Sequence, residues 1–122
     1  MKFYDLSGGV CQDPQITPAY QNGRAIGPMR ISPEYIFFRS GRKTYVIQSS
    51  DLDRIYRRVL LVPARMCCGR GDLAVENIVL EKDGKTIAQI TMPGERAGKA
   101  ALEELMKAAP HAQFGCPSRQ EA

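Results

Sequence analysis

The stretch Tyr35-Ile-Phe-Phe-Arg-Ser-Gly-Arg-Lys-Thr-Tyr-Val-Ile47 constrains this chain more than any other. Aromatic and β-branched residues suit a pleated, half-buried surface. The two such runs, 35–38 and 44–47, are separated only by a short basic segment that contains Gly41. Glycine tolerates positive φ, so the pattern predicts a β-hairpin turning over residues 39–43.

A second hairpin follows. Residues 75–82 are apolar on both parities through their centre, as in a strand buried on one face and partly covered on the other. Asp83-Gly84 is a strong two-residue turn signal, and residues 86–91 return from it. Pro93-Gly94 ends that strand and Pro110 closes the next segment, because proline cannot continue a helix interior. Between them the spacing predicts a helix over about 95–109, with Ala101, Leu102, Leu105, Met106 and Ala109 as one apolar stripe. Glu95 with Lys99 and Glu103 with Lys107 are the expected i,i+4 pairs.

The segment between the hairpins reads two ways. Ser50-Asp-Leu-Asp53 resembles a capping box, and Leu52, Ile55, Tyr56 and Val59 fall on one helical face. By these local rules 52–59 is a helix. The β-branched apolar run 59–62 ending at Pro63 argues for a strand instead. Residues 1–28 carry Gly8-Gly9, Pro14, Pro18, Gly23 and Gly27-Pro28, which interrupt any period. They are expected to form an irregular arm of the same domain, with room for one short strand or helical turn.

At 122 residues the chain has one domain's worth of core, and 43% hydrophobic with 25% charged residues fits a globular protein. Met1-Lys-Phe-Tyr-Asp5 places charge where an export leader would be apolar, so a cytoplasmic location is expected. No apolar run approaches the roughly 20 residues needed to cross a bilayer. Adjacent Cys67 and Cys68 pair only in a strained form, so these two, Cys11 and Cys116 are expected as reduced thiols.

Charge is unevenly spread. Arg39, Arg42, Lys43, Arg54, Arg57, Arg58, Arg65 and Arg70 face only Asp51 and Asp53 between residues 39 and 70, a local excess of six in a chain of net +4. Such a middle attracts anions by its field. Arg39, Arg42 and Lys43 around Gly41 form the candidate anion site, for phosphate or anionic lipid headgroups. The bland alternative is that these cations solvate a turn and guard a sheet edge. Arg54, Tyr56 and Arg58 would share one face of a strand, but without tryptophan the pattern gives nucleic acid little support.

Catalysis has little material. Cys67 and Cys68 lack the spacing of a structural zinc pair, and His111 is the lone histidine. A Cys67 or Cys68 thiol activated by Arg65 or Arg70 is the remaining enzymatic alternative. Gly69-Arg-Gly71 is too short to cradle phosphate, and no nucleotide-binding glycine motif occurs. No metal or cofactor is expected.

Hairpins followed by one C-terminal helix resemble the layout of pleckstrin-homology-like domains, and details are similar to their bacterial members of unassigned function. Ile31-Ser-Pro-Glu-Tyr-Ile-Phe-Phe38 is similar to their entry strand. Val46-Ile47, Ser50-Asp-Leu52 and Ile55-Tyr56 resemble a strand-to-strand passage. Leu80-Glu-Lys-Asp-Gly-Lys85 and Pro110-His-Ala-Gln-Phe-Gly115 resemble the closing hairpin and the exit from the helix. The resemblance covers about 29–115, leaving 116–122 as a flexible tail. It implies an α+β fold: a strongly bent antiparallel sheet, or barrel-like sandwich, with the helix plugging one end and 52–59 as a strand. It carries no catalytic residues. The expectation is a non-catalytic binding or assembly module whose partner is another protein or a second copy, with anionic headgroups as the alternative.

Overall fold

Short pleated runs build the first of two sheets. The structure is a computed structural model and describes residues 2–63 and 72–115. In chain order it begins with β1 (Phe3–Tyr4), β2 (Val10–Cys11), α1 (Ile16–Asn22) and β3 (Arg24–Ile26). There follow β4 (Met29–Ile31), β5 (Tyr35–Ser40) and β6 (Lys43–Gln48), and these six strands form one sheet in the order β2-β1-β6-β5-β4-β3. After a 3₁₀ turn at Ser49–Asp51 come β7 (Arg54–Pro63), β8 (Asp72–Lys82), β9 (Lys85–Met92), α2 (Glu95–Ala108) and β10 (Gln113–Phe114). The second sheet has the order β10-β7-β8-β9.

Both expected hairpins form. Ser40 pairs with Lys43, so the first turns on Gly41 and Arg42 alone, with Gly41 at φ 64°. Lys82 pairs with Lys85, and Asp83 and Gly84 both hold positive φ, the signature of a type I′ turn.

The local helix signal over 52–59 is overridden. All ten residues of β7 pair with β8, satisfying a ladder of backbone groups that a helix would remove from the sheet. The apparent capping box makes no cap: the 3₁₀ turn closes through the Leu52 N–H on the Ser49 carbonyl, with no side-chain cap.

The N-terminal arm also departs from expectation. Its residues supply three strands and a helix to the first sheet rather than an irregular lead-in. The strands between residues 29 and 91 pair antiparallel as expected, and only the short β1 and β10, outside that span, add in parallel, to β6 and β7. The two sheets do not close into a barrel.

The main core lies between the sheets. Met29, Ile36, Leu52, Ile55, Ile78, Leu80, Ala101 and Leu105 are buried there together. The α2 helix packs against β3, β4, β7, β8 and β9, and thus against both sheets. Its buried stripe is Gly98, Ala101 and Leu105, with Ala109 following. Met106, expected in that stripe, is exposed. Lys107 pairs with Glu104 rather than Glu103, whereas Glu95 and Lys99 meet at 2.9 Å as expected.

A second cluster covers the other face of the first sheet. Phe37 is fully buried against Phe3, Tyr20 and Tyr35, with ring centroids 5.3, 5.1 and 6.2 Å away. Ile16 and Tyr20 bring α1 onto this face. Arg30 of β4 holds the helix by lying 4.4 Å from the Tyr20 ring and donating to the Tyr20 carbonyl at 3.1 Å. β5 is therefore covered on both faces, which is why residues 35–38 read as a continuous apolar run.

Candidate functional site

Strand register decides what the basic turn can do. Arg39 stands opposite Thr44, and Ser40 opposite Lys43. Directly opposed residues share a face and successive ones alternate, so Arg39 and Lys43 project from opposite faces of the hairpin. Lys43 packs its Nζ 4.9 Å from the Tyr4 ring, and Arg42 is exposed at the tip. Of the three cations expected to meet one anion, Arg39 and Lys43 thus leave the turn on opposite faces.

Two members of the second basic group, Arg54 and Arg57, are engaged by neighbouring strands, while Arg58 is exposed. Arg54 donates to Gln113 Oε1 at 2.7 Å and to the Gly115 carbonyl at 3.2 Å, tying β10 to β7. Arg57 lies 3.0 Å from the buried Glu76 carboxylate. Tyr56 is buried, so Arg54, Tyr56 and Arg58 offer no open ring on which a base could stack. His111 is exposed, and no three potential metal ligands gather among the described residues. Cys67, Cys68, Cys116, Arg65 and Arg70 lie outside the described residues.

Sequence reasoning missed a cleft of about 500 Å³ at the margin of the first sheet. Its apolar wall is Ile16, Val46, Ile47 and Ile87, with Leu6 exposed beside it. Asp5, Asp13, Asp51 and Lys82 supply its charged groups, three carboxylates to one ammonium. These residues come from the β1–β2 loop, the approach to α1, the 3₁₀ turn and the β8–β9 hairpin. No window of sequence contains them together.

Two of the carboxylates have assigned work. Asp5 Oδ1 accepts from Ser7 N, Ser7 Oγ and Gly9 N, closing the β1–β2 loop. These bonds, that from the Ser7 hydroxyl foremost, hold its carboxyl below the ordinary range. Asp13 accepts the Tyr35 hydroxyl at 3.1 Å and the Gln15 N–H at 2.9 Å. Burial, then the bond to Asp13, pushes the Tyr35 phenol up. Cys11 also lines the cleft as a free thiol, and burial, then Asp5, raises its pKa away from the nucleophilic thiolate.

The cleft has a backbone side as well. β1 pairs with β6 only at Thr44 and Tyr45, so among the described residues no strand covers the β6 edge over 46–48. Tyr35 turns its own N–H to Ser32 Oγ and its carbonyl to the Ser32 N–H. Antiparallel pairing alternates, so Gln48, opposite Tyr35, directs its N–H away from β5 and toward the cleft. The Val46 carbonyl, two positions earlier, points the same way.

Fold and cleft together define a two-sheet α+β domain with an open strand edge beside an apolar recess. Residues 4–122 match the family model described as a domain of unknown function, DUF6709, and the chain belongs to that family. No curated protein and no solved structure matches it. No helix among the described residues is long and apolar enough to cross a membrane.

Proposed function

We propose that this protein is a non-catalytic binding module that takes an extended segment of a partner protein along the free edge of β6. The observation that carries this reading is the uncovered edge over 46–48 opening onto an apolar cleft. Strand addition draws affinity from main-chain hydrogen bonds and specificity from pockets for alternate side chains. The Gln48 N–H and Val46 carbonyl supply the first, and the recess between Ile16, Val46 and Ile87 the second. The divergence of Arg39 and Lys43 favours this reading over anionic headgroups at the basic turn.

The scaffold is read as pleckstrin-homology-like. Supporting that assignment, β3 to β6 form a four-stranded meander, β7 to β9 a three-stranded one, and α2 follows. The parallel additions β1 and β10 lie outside that plan.

A random nonapeptide display selection tests the function. Gln48 has φ −72°, which proline adopts without strain, so Gln48→Pro removes the edge N–H while leaving the local backbone in place. Peptides enriched on the parent are expected to lose binding at least tenfold on Gln48→Pro and to keep it on Gln48→Ala. Failure to enrich any peptide, or enrichment indifferent to Gln48→Pro, overturns the reading.

A further inference from the structure

We infer that the cleft selects segments carrying a basic side chain, which Asp51 anchors while a neighbouring apolar side chain enters the recess. This rests on the strand-addition reading above and adds the chemistry of the occupant. The protein is net positive, yet this cleft gathers Asp5, Asp13 and Asp51 against Lys82 alone. Asp5 is filled by three donors from its own loop, and Asp13 by Tyr35 and Gln15. Asp51 has no side-chain hydrogen bond or ion pair among the described residues. It is half-buried, so a cation meeting it there is partly sheltered from solvent.

Position supports the same assignment. Asp51 lies three residues beyond Gln48, at the end of the 3₁₀ turn that caps β6. A peptide bonded to the Gln48 N–H therefore passes close to that turn. Along an added strand, side chains alternate between faces. One set faces the recess lined by Val46 and Ile87, and a long lysine or arginine side chain has the reach to the carboxylate at the rim. An acidic segment would bring like charge to three carboxylates and is disfavoured.

The nonapeptide selection supplies the probe. Enriched peptides are expected to carry lysine or arginine next to an apolar residue. By fluorescence anisotropy, Asp51→Asn is expected to weaken the best peptide about tenfold. Replacing that peptide's basic residue with glutamine should weaken it similarly and abolish the effect of Asp51→Asn, a coupling that bare misfolding would not give. Affinity should fall with added salt. Circular dichroism melting of Asp51→Asn checks that the variant folds.

The outcomes separate the two readings. Peptides that need the Gln48 N–H but are neutral or acidic, or that ignore Asp51→Asn, overturn this inference and leave strand addition standing. Butylammonium binding as tightly as the peptide overturns it in favour of a small amine. A concentration-dependent dimer that the peptide disperses overturns it in favour of a second copy. No enrichment at all overturns strand addition itself.

Discussion

Individual side chains in this fold act through where the backbone lets them point. Register explains why Arg39 and Lys43, close in sequence, do not converge. A different constraint operates at Gly98, where an added Cβ would lie 2.8 Å from Glu76 Oε1 and 3.4 Å from Arg57 Cδ. The missing side chain lets α2 rest on that ion pair. The Glu76–Arg57 contact is 3.0 Å, but Oε1 has no aligned hydrogen bond, so charge proximity rather than a directed bond holds it. Gly27 is the sharpest case. It holds φ 56°, and a Cβ there would come 2.8 Å from Cδ of Pro93. Left-handed geometry costs a non-glycine residue about 1–2 kcal/mol, and the rigid proline ring leaves little room to yield. Gly27→Ala is expected to lower stability by about 2 kcal/mol or more. Urea denaturation checks this, with an unchanged m-value showing that both proteins unfold from the same state. The glycine was visible in the sequence as punctuation; its neighbour Pro93, 66 positions away, was not.

At the scale of elements, legibility followed the range of the forces involved. The two hairpins and α2 were readable because Gly41, Asp83-Gly84, Pro93 and Pro110 act on their own neighbours. β7 was not readable locally, because Leu52, Ile55, Tyr56 and Val59 satisfy a helical period while the pairing strand β8 starts only at Asp72. The decision came from pairing at long range. Asp53 sits where that decision is enforced. Its N–H donates to the Glu81 carbonyl at 2.9 Å, and its own carbonyl accepts from Gln113 N at 2.8 Å. Its carboxylate accepts the Asp83 N–H at the next hairpin turn. One residue thus connects the start of β7 to β8, β10 and the β8–β9 turn. Asp53→Ala keeps the two backbone bonds and removes only the third, at an exposed position. A loss of about 1 kcal/mol is expected by thermal or chemical denaturation. Amide exchange at Asp83 should speed up more than exchange in the middle of β8, because local opening there no longer breaks the carboxylate bond.

For the whole molecule, the first 22 residues decide whether the first sheet has one wet face or none. Their sequence gave no periodic signal, since β1 and β2 are two residues each and α1 has seven. Period-based reading has nothing to act on at that length. The cleft was illegible for a related reason: the same segments supply Asp5, Leu6, Cys11, Asp13 and Ile16 to it, opposite groups from β6 and the β8–β9 hairpin. Phe3, Ile16 and Tyr20 cover Phe37, Tyr35 and Val46. Phe37 alone has a side chain of the size whose deletion from a core costs about 3–5 kcal/mol. Baring Phe37, Tyr35 and Val46 together therefore removes a large share of what an ordinary domain has in total, about 5–15 kcal/mol. A chain starting at Gly23 is therefore expected to lose cooperative unfolding or to associate through the bared sheet, and to bind a hydrophobic dye that the full chain does not. Near-ultraviolet circular dichroism should lose its aromatic signal as the packed rings around Phe37 disperse. If the truncated chain instead stays monomeric, melts cooperatively within a few degrees of the parent and leaves the dye dark, the outer cluster is dispensable. The N-terminal segment would then be a cover for the sheet rather than part of what holds it.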